Sequence, residues 1–358
     1  MKTQLLLFTF LFSIRFCQAQ VTTILDSLDN PIALTFVGDN LFILLHGEPE
    51  NGKLISFNIN DPSKTIKIHL DGLTYPRAII EKDSIIYIGL PSSIISYDLR
   101  SDDSEYKVVY LKEYFFPRSF LFVGNELFYA ENNALSKIDI SATNITSTNL
   151  FYFFQKPLSL FMEGTDIFIA SGTSIFKYNL QSNTKKEIIK NLKYTPYSII
   201  VIDNFLYIDY RNLNFQNEEI ITFNLNNLEL GYEVFCDDLI SAISLQEYKG
   251  FIYLASQKPV FDSRPEGKII RIDKELLKQP KENDLTIFPN PTSSHIDIKT
   301  LYINDMTYKL YDSNGKLIFS RKNISSIDLS EFPRGMYYLG FENVNRNIFG
   351  TKKILKIR

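Results

Sequence analysis

The chain has 358 residues, 45% of them hydrophobic and 22% charged, a balance ordinary for globular proteins and a length sufficient for two domains. The formal net charge is −3, but residues 21–280 contain 24 basic and 33 acidic residues and therefore carry −9. Nucleic-acid binding needs clustered Lys and Arg side chains that neutralise phosphates, so we expect no nucleic-acid partner.

Residues 1–19 have the pattern of a cleaved secretory signal peptide. Lys2 supplies the basic N-terminal region, Leu5–Ile14 the apolar stretch, and Ala19 the small residue before a cleavage site at Gln20. The apolar stretch is too short for a permanent membrane span, and no later segment has the required length and hydrophobicity. We therefore expect no transmembrane segment in the mature chain.

The chain has two cysteines, and Cys17 falls within the predicted signal peptide. The mature chain would then contain Cys236 alone, which excludes an internal disulfide. We interpret Cys236 as a small buried residue of a strand and not as a reactive thiol.

One pattern recurs along the next 190 residues: a proline, an apolar run, a turn and a second alternating run. Two such runs around a tight turn are typical of a β-hairpin. Successive prolines are 45, 41, 40 and 39 residues apart. The five copies are Pro31–Leu44, Pro76–Gly89, Pro117–Ala130, Pro157–Ala170 and Pro196–Asp209.

A third and a fourth β-like run follow each hairpin, so each repeat predicts a four-stranded unit of about 40 residues, the period of a β-propeller blade. A degraded sixth unit is present at Ile240–Ala255 and Gly267–Asp273, but no fourth run follows it. We predict that Val21–Leu25 supplies that strand and closes a ring of six blades without unpaired edges. The pattern resembles six-bladed propellers of the NHL and gluconolactonase-like group across residues 20–273.

The composition changes after the propeller region. Residues 274–284 are charged and contain one proline, which indicates a linker. Several short alternating runs follow within residues 285–358 and predict a small β-sandwich of the immunoglobulin-like type. The fold class predicted for the whole chain is thus all-β.

Residues 285–358 also contain an ordered set of short motifs. The set closely resembles the C-terminal sorting domain of type IX secretion cargo in Bacteroidetes. The matching residues are Phe288, Pro289, Asn290, Pro291 and Thr292, then Tyr311, Asp312, Asn314, Gly315 and Lys316, then Leu329, Pro333, Gly335, Met336 and Tyr337, and finally Lys352, Lys353 and Ile354–Ile357.

This resemblance implies a route and two partners. The protein would enter the periplasm through its signal peptide, and the outer-membrane translocon of the type IX system would recognise the C-terminal domain. A C-terminal signal peptidase would then remove that domain, and the propeller would be released or attached to the cell surface. The domain's role would be recognition and not catalysis.

The gluconolactonase-like enzymes hold a divalent cation at the channel mouth with carboxylate and amide groups of the innermost strands. Hard cations need several such oxygens. Beside the repeated prolines of this chain only Asn30 suits a cation, and Arg77 and Arg118 oppose one. We therefore expect neither a metal nor another cofactor.

Arg77 and Arg118 begin the innermost strands of adjacent predicted blades. They would present a cationic pair to an anionic ligand. The alternative is that each pairs with a neighbouring carboxylate.

The loops predict a second recognition element. The connections between second and third strands are long in blades five, six and one, which are neighbours in a closed ring. Aromatic and Arg side chains on loops above a rigid scaffold are typical of recognition surfaces, and the alternative is that these loops cover the closure seam. The residues of this predicted wall are Tyr210, Arg211, Phe215, Phe261, Arg264 and His46.

Catalytic patterns are weak. His46 lies near Glu48 and Glu50, which leaves a metal or general-base role open, whereas His69 alternates with isoleucines and is interpreted as a strand residue. No Gly-rich phosphate loop is present.

The residues favour an exported, non-enzymatic binding module for a protein, glycan or peptide. The alternatives are a propeller hydrolase, lactonase or glycan-active, with its site at the channel mouth, and a spacer without ligand.

Overall fold

The computed structural model describes residues 21–47, 49–61, 63–101, 105–211, 218–239, 242–257, 267–273, 285–300, 306–343 and 348–357. These residues form β-strands and one short 3₁₀ turn, Leu228–Leu230, and they contain no α-helix. One compact unit spans Val21–Asp273, and a second contains the strands from Leu285 onward. The predicted signal peptide and linker lie outside the described residues. No helix in the described part of the chain could span a membrane.

The first unit consists of six antiparallel sheets of four strands each. Five sheets contain four consecutive strands, and the sixth combines the last three strands of the unit with its first strand. The strands are β1(Val21–Leu28), β2(Pro31–Val37), β3(Asn40–Leu45), β4(Gly52–Asn58), β5(Lys67–Leu73), β6(Ala78–Lys82), β7(Ile85–Leu90), β8(Ser93–Asp98), β9(Lys107–Leu111), β10(Pro117–Val123), β11(Glu126–Glu131), β12(Ala134–Asp139), β13(Thr148–Tyr152), β14(Pro157–Glu163), β15(Asp166–Ser171), β16(Ser174–Asn179), β17(Thr184–Ile189), β18(Thr195–Ile202), β19(Phe205–Arg211), β20(Glu218–Asn224), β21(Tyr232–Leu239), β22(Ala242–Tyr248), β23(Phe251–Ser256) and β24(Gly267–Asp273).

The six sheets close into a ring. The first strand of each sheet packs against the first strand of the next, and β22 packs against β2. Strand β1 pairs antiparallel with β24, with Thr22 opposite Arg271, and so completes the sixth blade. The predicted six-bladed β-propeller is therefore confirmed, and so is the predicted role of the first strand, which extends to Leu28.

Side chains reinforce this closure on the hairpins of blades one and six. The rings of Phe36 and Tyr248 stack with centroids 4.2 Å apart. The Tyr248 hydroxyl donates a hydrogen bond of 2.8 Å to Asp39 Oδ1, and the Lys249 ammonium contacts the same carboxylate. These hydrogen bonds, that of Lys249 foremost, lower the pKa of Asp39.

The repeated prolines have a packing role between blades. A Cβ atom placed on Gly89 would lie 2.5 Å from Pro117 Cγ, and one on Gly267 would lie 2.2 Å from Pro31 Cδ. Each of these prolines thus packs directly on a glycine backbone of the preceding blade. Because such close approach leaves no room for a side chain, the proline and glycine positions are linked.

The apolar cores of the propeller lie between neighbouring blades. Cys236 is buried in strand β21, as predicted.

His69 lies in the outer strand β5 of blade one, as predicted, and is only 7% exposed. Its Nε2 is 2.8 Å from Ser56 Oγ, and its ring lies between Phe42 and Tyr97. The Nδ1 atom has no hydrogen-bond partner among the described residues. Burial, with a smaller contribution from Lys67, lowers the pKa of His69 to about 4.

We expect His69 to make the propeller acid-sensitive. Its unfolded pKa is about 6.5, so between about pH 6.5 and pH 4 the unfolded chain binds a proton that the folded chain does not. The free energy of unfolding should fall by up to about 3 kcal/mol as the pH drops through this window. Urea unfolding of the mature chain and of His69→Gln at pH 7.5 and pH 4 measures the effect. The variant should lose less stability on acidification, and an equal loss in both proteins would refute the assignment.

The second unit contains seven strands, β25(Leu285–Phe288), β26(His295–Thr300), β27(Thr307–Tyr311), β28(Leu317–Lys322), β29(Ser326–Asp328), β30(Gly335–Asn343) and β31(Ile348–Lys356). They form two antiparallel sheets, one with the order β25-β26-β29 and one with the order β28-β27-β30-β31. Side chains of both sheets share one core, in which Ile296, Tyr308 and Leu339 are fully buried, so the unit is a small β-sandwich, as predicted.

Candidate functional site

Each blade contributes to the central channel the residue at the start of its innermost strand. In five blades the pairing of the first and second strands shifts by one residue near its start, for example between Pro117 and Ser119. Such a β-bulge re-aims the extra side chain. The residues at this position, with Arg77 at the equivalent place in blade two, all line a cavity of about 100 Å³; they are Ile32, Arg77, Arg118, Leu158, Tyr197 and Ile243.

Arg77 and Arg118 are thus brought together at the channel, both half-buried. Burial and then the positive charge of Arg118 lower the pKa of Arg77. The buried Nε of Arg77 has no hydrogen-bond partner among the described residues. The cavity lining contains no carboxylate within the described chain, and no ion pair there involves either arginine.

Serine hydroxyls of the same strands hold neighbouring blades together. Ser119 Oγ accepts a hydrogen bond of 3.0 Å from the Leu160 backbone N–H, and Ser159 Oγ accepts one of 3.1 Å from Ile199. Ser198 continues the pattern into blade six. These hydroxyls therefore link the innermost strands of blades three to six.

His46 is not among the residues that line the channel cavity. Its backbone N–H donates to Asn30 O at 3.0 Å, and its ring centroid is 5.2 Å from that of Tyr75. Glu48, its predicted neighbour, lies outside the described residues. Within the described ranges no group of three or more His, Cys, Asp or Glu side chains is arranged to hold a metal ion.

The remaining residues of the predicted wall stay a prediction. Tyr210 and Arg211 end strand β19, and the structure describes only their backbone. Phe215, Phe261 and Arg264 lie outside the described residues.

The structure reveals exposed aromatic side chains that the sequence prediction missed. Tyr114 is 80% exposed and Phe116 39%, whereas Phe115 between them is fully buried. Tyr152 and Phe154 are exposed in the same way around the buried Phe153. The sequence signal was present, since Tyr-Phe-Phe occurs before the inner strands of both blade three and blade four.

In the sandwich, the first predicted sorting motif binds the last one. Asn290 Nδ2 donates to Lys353 O at 2.7 Å, and Asn290 Oδ1 accepts from the Leu355 N–H at 2.9 Å. Thr292 continues the pairing, because its N–H donates to Leu355 O and its carbonyl accepts from Ile357. The Asn290 side-chain amide thus pairs with the backbone of β31 as a neighbouring strand would, and holds β31 in place.

The other predicted sorting residues lie at turns and on strands. Asp312 Oδ1 accepts the N–H groups of Asn314 and Lys316 around Gly315, which has a left-handed φ of 79°. The Tyr337 hydroxyl donates to Pro333 O at 2.7 Å. Pro289 and Pro291 lie on either side of Asn290, and Gly335 begins β30. On β31, Lys352 is half-buried and Lys353 is exposed.

Lys356 belongs to the last predicted sorting motif, but its burial was not predicted from the sequence. It is 4% exposed, and its ammonium donates to the backbone carbonyls of Leu329, Ser330 and Phe332. All three ammonium protons are therefore used inside the domain. Lysine at a chain end ordinarily lies in solvent, so the sequence carried no sign of this contact.

Comparison with known proteins agrees with this architecture. Residues 286–357 match the family described as "Secretion system C-terminal sorting domain", and the second unit is such a domain of the type IX system. No curated protein matches the chain. The chain is therefore a type IX cargo that is exported to the cell surface or secreted through the periplasm.

Solved structures resemble the propeller. A gluconolactonase from Xanthomonas campestris is 7% identical, with a TM-score of 0.54, 71% of this chain covered and 89% of the other. A calcium-binding protein, regucalcin, from Agrobacterium tumefaciens is 9% identical, with a TM-score of 0.52 and coverages of 69% and 92%. PorZ, a surface component of the type IX system of Porphyromonas gingivalis, is 12% identical, with a TM-score of 0.47. The match covers 91% of this chain but only 51% of PorZ, so this chain spans about half the length of PorZ. At these identities the likeness shows the fold alone.

Proposed function

We propose that the propeller is a non-enzymatic binding module whose ligand presents an anionic group to Arg77 and Arg118. The observation that carries this proposal is the pair of half-buried guanidinium groups without a carboxylate partner in the described chain. Removing charge from water without pairing it is costly, so an incoming carboxylate, sulfate or phosphate group would gain two charge-assisted contacts. The β-bulge between Pro117 and Ser119 orients Arg118, and the Arg77 backbone N–H donates to Gly89 O at 2.9 Å, so the backbones of both arginines are held in place before binding.

The proposal extends to the fate of the exported chain. After the translocon has recognised the sandwich, the C-terminal signal peptidase removes it, and the propeller is released or attached to the surface. The signal peptide, residues 1–19, and the linker, residues 274–284, provide the two cleavage regions. Deleting residues 285–358 should leave the protein in the periplasm, as cell fractionation would show.

Thermal unfolding tests the anion site. Millimolar inorganic phosphate should raise the unfolding midpoint of the mature chain relative to chloride at equal ionic strength, because a ligand of the folded state stabilises it. Arg77→Met should abolish that rise. It should also raise the midpoint of the unliganded protein, because it removes an unpaired half-buried charge.

Arg100→Met is the matched control, since Arg100 is exposed and paired with Asp98 at 2.8 Å. It should leave the response to phosphate intact. If Arg77→Met and the control respond alike to phosphate, the anion site is wrong.

The hydrolase alternative is tested with the same assay. Ca²⁺ or Zn²⁺ compared with EDTA should leave the midpoint unchanged, because the described channel lining offers no carboxylate ligands. A clear metal-dependent rise would favour the hydrolase.

A further inference from the structure

Two repeat-related segments display exposed aromatic rings on one face of the propeller. We call the side at which the innermost strands begin the upper face. Residues 112–116 and 153–156 reach the innermost strands β10 and β14 on this face. Because Phe115 is buried between blades two and three and Phe153 between blades three and four, the flanking rings of Tyr114, Phe116 and Phe154 are held outward.

One turn of blade three ties both segments together. Asn132 Nδ2 donates to Tyr114 O at 3.0 Å, and the neighbouring Asn133 accepts the Phe153 N–H at 2.7 Å. Glu131, which precedes this turn, is buried and accepts hydrogen bonds from Lys112 at 2.6 Å and Ser136 at 2.9 Å, so the start of the turn is held in place. The exposed rings therefore stand on either side of one rigid turn.

Tyr114 also has a left-handed backbone, with a φ of 55°. This conformation is unfavourable for a bulky residue, and glycine or asparagine would adopt it more readily. An exposed tyrosine gains little from packing, so the strain is not offset by burial of its ring. Strained residues of this kind occur at ligand sites, where the backbone displays a side chain in advance of binding.

The groups between the rings indicate what covers them. Most of the other exposed side chains here are polar, namely those of Glu113, Asn132, Asn133, Gln155 and Lys156, and Leu111 at the end of β9 is an exposed aliphatic neighbour. A stable protein partner would need a continuous apolar patch in the centre of its interface. Separate aromatic rings interleaved with amides instead match a carbohydrate, whose ring faces are apolar and whose hydroxyls accept and donate hydrogen bonds.

Charge supports the same occupant. Arg118 follows Phe116 by two residues and faces the channel with Arg77, so the rings lead toward the proposed anion site. A single-stranded nucleic acid would also stack on aromatic rings, but it needs a basic track, and residues 21–280 carry a net charge of −9.

We propose that Tyr114, Phe116, Tyr152 and Phe154 form a stacking platform for a glycan chain. An acidic sugar of that chain binds Arg77 and Arg118; this second claim rests on the proposed function. The neutral sugars stack on the platform independently of this charge.

Binding of the mature chain to an array of neutral and uronic-acid oligosaccharides, followed by calorimetry with the tightest binder, tests the proposal. Tyr114→Ala and Phe154→Ala should each weaken binding by about tenfold, the effect of losing one stacking contact. Tyr106→Ala is the matched control, because Tyr106 is 45% exposed but lies at the opposite face, before β9, and it should bind normally. Tyr114→Gly should also lose binding while retaining the unfolding midpoint, which separates display of the ring from folding.

Comparison with a carboxyl-reduced form of the same oligosaccharide separates the two proposals. Arg77→Gln should weaken binding of the acidic form only, whereas the aromatic variants should weaken both forms. Loss of the arginine effect alone would overturn the anion site and leave the platform standing. Binding to no oligosaccharide, binding unaffected by Phe154→Ala, or aromatic-dependent binding of hexaglutamate or oligothymidylate instead would each overturn the platform.

Discussion

Replacing Lys356 by alanine is expected to destabilise the sorting domain and stop export. The buried ammonium donates to the backbone carbonyls of Leu329, Ser330 and Phe332, and alanine would leave the last two without a donor, since Leu329 O also accepts the Phe332 N–H at 3.0 Å. Each carbonyl left without a donor costs about 1–3 kcal/mol, so the free energy of unfolding of this small domain should fall by at least about 2 kcal/mol. Urea unfolding of residues 20–358, with the sorting domain retained, measures the stability, and digestion of the protein by protease added to intact cells measures export.

Lys353→Ala is the control on the same strand, because the Lys353 side chain is exposed while its backbone carbonyl binds Asn290. It should leave the domain's stability nearly unchanged. If Lys356→Ala is exported at the normal level, the carbonyl contacts are not needed for sorting. If Lys353→Ala blocks export with stability intact, the translocon senses the exposed charge as well as the folded strand.

Removing β1, residues 21–28, should have the second large effect, because that strand completes blade six. Leu28 is 5% exposed, and Ile24 and Leu25 pack against the core between blades six and one. Loss of a buried leucine alone costs about 2–5 kcal/mol, and the unpaired edge of β24 would then be open to other chains. We expect a fall of at least about 5 kcal/mol in the free energy of unfolding, together with concentration-dependent aggregation.

Urea unfolding and size-exclusion chromatography at rising protein concentration check this expectation. A synthetic peptide of residues 20–30, added in trans, should restore a monomer by pairing with β24. Val21→Ala is the control, since Val21 at the start of the strand is 43% exposed and is not part of the core between blades six and one. A truncated chain that stays monomeric with an unchanged midpoint would show that the ring closes without β1.

Much of the fold could be predicted from the sequence because its causes are local. Alternating runs, turn residues and prolines at a period near 40 define each blade, and the missing strand after Asp273 pointed to Val21–Leu25 as its replacement. The sorting motifs were likewise readable, since they form a short ordered set in one segment. Tyr114, Phe115 and Phe116, by contrast, look alike in sequence, and only packing against blade three separates the buried ring from the exposed ones.

The sequence by itself determined an exported six-bladed propeller with a type IX sorting domain, because strand periodicity and motifs depend on residues close together in the chain. Only the tertiary structure decided that Arg77 and Arg118 meet at the channel without a carboxylate in the described lining, that Asn290 clamps the last strand, and that Lys356 is buried. These features depend on contacts between residues tens of positions apart. Burial and hydrogen bonding across such distances are set by how blades and sheets pack, which no local pattern records.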